Sequence, residues 1–228
     1  ANTYTLNMKQ ACSKTTVAAE GQAKQLPFHI PVKVGLLGAD GKALSLTLVG
    51  GSAEDECKSR VLDVVEAEQQ FVFTDMQQEP VPSLLRGFSA PVKLSFDYSR
   101  DDLVFLLKND SDGFCRWDAG QQLAINILLE LVQKIIQGKE LSLDTRLVDA
   151  FATLLAQSIT DDQLDKAMVA HMLQLPSEKY LIELIPNADV DAIHQAREFV
   201  RQTLAEKLSS EWLHCYHAHK VAGDYQPQ

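Results

Sequence analysis

The sequence predicts a β-sandwich of about seven antiparallel strands followed by an all-α segment, a helical bundle or solenoid. Three observations carry that prediction. Apolar residues alternate along the first part of the chain, which is the period of a half-buried strand. Beyond Tyr98 they recur at threes, fours and sevens, the period of a helix face. The charge divides at the same place: residues 1–98 hold 11 acids against 9 bases, and residues 99–228 hold 20 against 12. The expected domains are therefore residues 1–98, the sandwich, and residues 99–228, the helices.

The strands follow in order. Tyr4, Leu6 and Met8 make one alternating set, Phe28, Ile30, Val32, Val34 and Leu36 a longer one, and Leu44, Leu46 and Leu48 a third. Between the last two stands Ala39-Asp40-Gly41-Lys42. Asp-Gly tolerates the positive φ of a tight turn, so these two strands are expected to pair as a hairpin. Further strands are expected over Val61 to Glu66, Phe71 to Thr74, Leu84 to Phe88 and Val92 to Tyr98. Pro80, Pro82 and Pro91 punctuate them and cannot serve a central strand.

The helices begin at Ser99-Arg100-Asp101-Asp102, which reads as a capping box with acids at the positive helix end. Phe114, Trp117, Ala124, Leu128, Leu131 and Ile135 form one stripe, and Ile125, Leu129, Val132 and Ile136 a second beside it, so this helix is expected to be buried on two sides until Gly138 stops it. Helices follow over Asp144 to Gln157, Asp161 to Leu173 and Ser177 to Ile185, with Thr160 and Gln163 as another capping box. A single long helix is expected from Asp189 to His219, roughly 45 Å at 1.5 Å per residue.

Composition removes several function classes. No apolar run approaches the ~18 residues of a membrane span. The formal charge of -10 disfavours nonspecific binding to nucleic acid, where Lys and Arg must neutralise phosphates. The chain opens on Ala1 with no basic-then-apolar leader, which suggests a cut at a domain boundary. Cys12, Cys57, Cys115 and Cys215 are scattered and form no C-x-x-C; the expectation is reduced, packed thiols in a cytoplasmic protein. Asn109-Asp110-Ser111 matches a glycosylation acceptor, a pattern too short to carry weight.

Four features imitate chemistry. His214, Cys215, His217 and His219 crowd the end of the last helix, where i, i+3 spacing brings histidines to one face. No glutamate follows either His214 or His217, so no H-E-x-x-H exists and no general base is supplied. Gly35, Gly38, Gly41 and Lys42 lack the spacing of a phosphate loop, and Ala43 stands where its hydroxyl belongs. Asp101 with Asp102, and Asp161 with Asp162, are sequence neighbours that do not face each other on a helix; they read as caps, not as an acid–base pair. Cys115 sits between Phe114 and Trp117 without an activating histidine nearby, a packed thiol and not a nucleophile.

Several stretches together carry a resemblance. Leu26-Pro27-Phe28-His29-Ile30-Pro31-Val32 leads to the Asp40-Gly41-Lys42 turn; Phe71-Val72-Phe73 follows, then Pro82-Ser83-Leu84-Leu85-Arg86-Gly87-Phe88-Ser89-Ala90-Pro91-Val92-Lys93-Leu94. Among the helices stand Asp112-Gly113-Phe114-Cys115-Arg116-Trp117-Asp118-Ala119 and Leu175-Pro176-Ser177-Glu178. In this order the chain resembles the zinc-dependent aminopeptidase N family of bacterial alanyl aminopeptidases over nearly its whole length. The resemblance implies a four-domain parent: a β domain that holds the substrate's amino end, a thermolysin-like zinc domain, a small immunoglobulin-like sandwich, and a large superhelical domain that caps the active site. Residues 1–98 would be the sandwich and residues 99–228 the opening of the cap.

The family's zinc motif and its Gly-x-Met-Glu-Asn segment are both absent, and none of the six histidines precedes a glutamate. No catalytic, substrate-binding or metal residue can therefore be carried onto this chain. The expected function is that of a non-catalytic piece of a peptidase that releases alanine and other N-terminal residues. Zinc would belong to the parent only, and the partners would be peptide substrates met through it and the missing catalytic domain, with no nucleic acid or membrane. Two alternatives stand beside it: an independent interaction module without enzymatic activity, and a self-contained hydrolase using a cysteine or the His214 cluster.

Overall fold

The computed structural model describes residues 2–11, 26–50, 57–220 and 223. Cys12 lies outside them. The chain divides into two compact units, one of residues 1–97 with 109–115 and the other of residues 98–108 with 116–228.

The first unit is built from β1 (Tyr4–Lys9), β2 (Ile30–Leu37), β3 (Arg60–Val64), β4 (Glu68–Phe73) and β5 (Val81–Leu84). They form two antiparallel sheets: β1 pairs with β4 from Tyr4 opposite Phe73 to Lys9 opposite Glu68, and β2 lies between β3 and β5. The alternation does what it predicts. Val32 and Val34 are buried while Pro31 and Lys33 face out, and Leu62 and Val64 do the same on β3. Leu6, Leu36, Leu46 and Phe73 complete a core in which each fully buried side chain contributes about 1.5–3 kcal/mol. Pro82 is tolerated because β5 is an edge strand. Pro31 sits in β2 where only β3 is its neighbour, since β5 reaches no further than Val34.

Three expected strands are corrected. The turn at Gly38–Lys42 forms, with the Gly38 amide donating to the Lys42 carbonyl at 2.9 Å, but pairing beyond it is a single bridge between Leu37 and Ala43. Leu46 then bridges to Cys57 and Leu48 to Phe73. Residues 43–48 thus leave the sheet of β2 for the sheet of β4, and a segment that changes sheets cannot stay in one ladder. The strand expected over Leu84 to Phe88 stops at Leu84, because Leu85 turns left-handed and Arg86–Phe88 form a 3₁₀ turn. Residues 92–98 adopt no regular structure, and Leu94 and Phe96 are exposed; their alternation has no buried side to serve.

The helices are α1 (Arg100–Asn109), α2 (Gly113–Ile136), α3 (Thr145–Thr160), α4 (Lys166–Met172), α5 (Glu178–Leu184), α6 (Val190–Lys207) and α7 (Ser209–His219). The Ser99 capping box closes as expected: Ser99 Oγ accepts from the Asp102 amide at 3.1 Å, and an Asp102 oxygen accepts from the Ser99 amide at 3.0 Å. Asp144, Asp165, Ser177 and Asp189 cap α3, α4, α5 and α6 in the same way, each accepting a backbone amide of the first turn. Gly138, at φ 62, ends the turn that follows α2.

Four helical expectations change. The helix expected from Asp161 begins only at Lys166, with Asp165 as its cap. The Thr160 capping box is not made; Thr160 Oγ1 donates back to the Ala156 carbonyl, and Asp161 Oδ1 takes the Gln163 amide instead. On α2, Leu123, Ala124, Ile127, Leu128, Leu131 and Val132 are buried, but Ile136 is 53% exposed, so the second stripe is only partly covered. The long last helix is broken at Leu208, where φ -114 and ψ 24 leave the helical region. No glycine or proline marks that bend. Its cause is packing: Leu208 is buried, and the break lets α7 turn onto α3, where Cys215 and His219 reach Ser158.

Between α5 and α6, exposed His194 Nδ1 lies 2.9 Å from Glu178 Oε1. That hydrogen bond, with the carboxylate's charge, raises the imidazole above its ordinary value. Stability from a raised histidine is fully present below the unfolded value of about 6.5 and fades as pH rises through the folded value. NMR titration should show His194 above the unfolded reference, and Glu178→Gln should lower it toward that reference, with Glu198 and Asp191 still acting on it.

Candidate functional site

The imitation sites resolve into structural roles. His214 and His217 are exposed on α7. Cys215 and His219 face α3 on the same side, their Sγ and Nε2 at 3.4 and 3.3 Å from Ser158 Oγ, which itself donates to the Leu155 carbonyl at 2.7 Å. The cluster is thus split between two directions, and among the described residues no three His, Cys, Asp or Glu side chains group as metal ligands. A zinc ion needs four ligands, three of them from protein even in a catalytic site; the donors present do not fit it.

Gly41 and Lys42 belong to the turn already described, with Asp40 Oδ1 accepting from the Lys42 amide at 3.0 Å. Asp101 pairs with Arg146 at 3.0 Å while Asp102 serves the Ser99 cap, so the two neighbours do separate work. Asp161 and Asp162 are exposed. Cys115 donates its thiol to the Leu84 carbonyl at 3.3 Å, and burial pushes its pKa far up, away from any thiolate chemistry. Asp118 is held above the carboxylate range by burial, opposed by a 2.7 Å hydrogen bond from Gln122 Nε2.

The chemically densest place lies elsewhere, in the first unit, around Arg86. Strand β5 ends at Leu84, and the next four residues include three at positive φ: Leu85 at 62, Gly87 at 62 and Phe88 at 52. Two of these are bulky residues for which the left-handed region costs roughly 1–2 kcal/mol each. The turn they make drives Arg86 inward until it is 6% exposed. Its NH2 donates to Asp110 Oδ1 at 2.9 Å and to Ser111 Oγ at 2.6 Å; the Asp110 side chain is fully buried. Asp110 Oδ1 also accepts from the Asp112 amide, and Asp112 Oδ1 accepts from the amides of Gly87 and Cys115, at 2.9, 3.1 and 3.0 Å. Phe88 then rests on Phe114 with ring centroids 5.2 Å apart.

Gly35 is part of this arrangement. A Cβ there would stand 2.6 Å from Arg86 NH1, so the guanidinium can pass β2 only because the side chain is missing. Three polar atoms at this centre, Ser83 Oγ, Arg86 Nε and Asp110 Oδ2, are buried without a hydrogen-bond partner.

Sequence reasoning did not single out this pair. The visible signal was an arginine inside the apolar run Leu84-Leu85-Arg86-Gly87-Phe88, a charge that must be either exposed or paired. Its partner stood inside the acceptor-like triplet Asn109-Asp110-Ser111, 24 residues away, and nothing in the spacing connected the two.

Comparison with known proteins agrees with this picture. Residues 100–228 match a family model described as a domain of unknown function, DUF3458_C, of ARM repeats; residues 1–97 match its companion DUF3458, of Ig-like fold. The chain belongs to this family. The first DUF3458 unit is accordingly Ig-like and the second ARM-repeat-like, which agrees with the expected sandwich and solenoid. The chain is 38% identical over 215 residues to aminopeptidase N of Escherichia coli, covering 94% of this chain but 23% of that protein. It is 35% identical over 225 residues to aminopeptidase N of Haemophilus influenzae, covering 24% of it. Its fold matches a crystal structure of Legionella pneumophila aminopeptidase A in complex with aspartic acid, with a TM-score of 0.73, 27% identity and 23% of that chain covered. The resemblance to the aminopeptidase N family is thereby established, for a segment of about a quarter of the relatives' length.

Removing one partner of a buried ion pair strands the other and costs about 3–5 kcal/mol, whereas replacing both with apolar residues is often neutral. Urea unfolding should therefore show Arg86→Met destabilised by about that amount, and Arg86→Met with Asp110→Leu restored toward the parent.

Proposed function

We propose that this chain is the non-catalytic part of a zinc-dependent aminopeptidase that releases alanine and other N-terminal residues from peptides. In that reading residues 1–98 bridge from the catalytic domain and residues 99–228 begin the helical cap over the active site. The observation that carries the reading is the coverage: the aligned stretch takes in 94% of this chain yet 23% of the Escherichia coli aminopeptidase N. The remaining three-quarters of that protein is room enough for a metal site, and among the described residues here no such group of ligands forms.

The side chains agree with a scaffold. Acids cap helices, the buried thiol is tied to a carbonyl, and the buried carboxylate of Asp110 is neutralised by Arg86. Peptide substrates and the catalytic domain would be partners through the parent, with zinc its cofactor and nucleic acid and membranes outside its role. Among the described residues no helix is long and apolar enough to cross a membrane. Among the described residues Cys57, Cys115 and Cys215 are free thiols; a cytoplasmic setting belongs to the same proposal.

The test uses the chain alone and in place. Purified, it should retain no stoichiometric zinc and release no product from an alanyl chromogenic substrate. Substituted for the matching segment of the Escherichia coli aminopeptidase N, it should preserve alanyl hydrolysis. Stoichiometric zinc or hydrolysis by the chain alone would overturn the proposal, as would a folded chimera with intact zinc and no activity.

A further inference from the structure

The second unit contains a cavity of about 260 Å³ that the proposed scaffold role does not use. Its wall is apolar, formed by Phe151 of α3, Leu173 and Leu175 after α4, Leu204 of α6 and Trp212 of α7. Into this lining α6 brings Arg197 and Arg201, four residues and one turn apart.

The two arginines are not equivalent. Arg201 is held by Glu198, its Nε at 3.0 and 3.2 Å from the two carboxylate oxygens and its NH2 at 2.5 Å from Oε2. That fork neutralises it. Arg197 is half-buried, and its Nε donates to the Pro176 carbonyl at 3.0 Å, which fixes the stem. Among the described residues no acceptor takes its two terminal NH2 groups. Glu198 lowers the local potential, but both its oxygens already serve Arg201.

We propose that this cavity binds a small organic monocarboxylate with a compact hydrocarbon body. The coplanar oxygens of a carboxylate match the fixed fork that Arg197 still offers. The hydrocarbon lies against the part-exposed Leu173, Leu175 and Trp212, over a floor of buried Phe151 and Leu204. One uncompensated cation selects a single negative charge, since a dianion would meet Glu198 with half its charge unpaired. The volume falls just below the ~300–1,000 Å³ typical of drug-sized ligand pockets, so the body must be compact.

The probe is 3-phenylpropionate, titrated into the full chain while Trp212 emission is followed, with Trp212→Phe as the blank for the other of the two tryptophans. Saturable change is expected, absent in Trp212→Phe, with 3-phenylpropionamide weaker by about tenfold or more for want of the charge. Arg197→Gln should lose about the same factor, and Arg201→Lys, which keeps a cation beside Glu198, should change binding by less than about twofold. A non-saturating response overturns the proposal, as does equal affinity for acid and amide. The acid–amide comparison uses the unaltered chain, so it decides the matter even where Arg197→Gln fails to fold.

Discussion

The buried pair of Arg86 and Asp110 is the constraint on which the first unit is organised. A guanidinium and a carboxylate taken out of water cost several kcal/mol each, and attraction between them repays this only where the geometry is close and the remaining polar atoms find partners. Here one oxygen of Asp110 takes both the guanidinium and a backbone amide, which meets the first condition, while Asp110 Oδ2 and Arg86 Nε stay unpaired and leave the second unmet. The consequences spread outward from that atom. Arg86 reaches it only through a left-handed turn that ends β5, β2 must carry glycine where the guanidinium passes, and Asp112 must lie where it can take the Gly87 amide and open α2. Each of these looks costly alone. Together they define one placement of the loop at residues 109–115, because a shift of one residue would leave a buried charge unpaired.

The second unit uses arginine differently. Arg116, also buried, sends Nε to the Leu107 carbonyl at the end of α1 and NH2 to Gln157 Oε1 on α3. Arg100 joins Glu130 of α2 to Asp144, the cap of α3, at 2.6 and 2.9 Å. Helix ends leave carbonyls and amides without intrahelical partners; Arg116 satisfies one such carbonyl at Leu107 and the aspartate caps take the amides. Leu103, Leu107, Leu128, Leu131, Leu147 and Leu154 supply the apolar mass. The arginines decide how helices with similar leucine faces meet, since leucine contacts alone discriminate weakly between registers.

Much of this was legible in the sequence and some was not, for physical reasons. The alternation of Val32, Val34 and Leu36 and the Ser99 cap are local signals, complete within a few residues, and the structure reproduces them. The alternation of Leu44, Leu46 and Leu48 is equally regular but describes a crossing between sheets, where three bridges go to three different partners. Periodicity reports which side is buried and not who the neighbour is. The break at Leu208 left no mark because it is imposed by tertiary packing on residues that suit a helix. Arg86 and Asp110 fell outside reach for the same reason, being paired through the fold. The matched families and relatives support the resemblance to aminopeptidase N that rested on the Ser-Leu-Leu-Arg-Gly-Phe block, and the structure gives that block a cause: it is the turn that buries Arg86.

A buried lock can carry specific sequence as a catalytic site can. A catalytic block is constrained by the atoms it presents to substrate, whereas this one is constrained by atoms it hides. Leu85 is buried, Arg86 is consumed by Asp110 and Ser111, Gly87 gives its amide to Asp112, and only Phe88 remains half exposed over Phe114. Arg86 and Gly87 are linked through Asp110 and Asp112, which are themselves joined by a hydrogen bond, so their substitutions are expected to couple. Strong sequence pattern can therefore mark a buried lock as well as a reacting site. In this chain it marks where two segments distant in sequence are locked together, and the residues that look reactive by type, Cys115 and Asp110 above all, are those the lock has made inert.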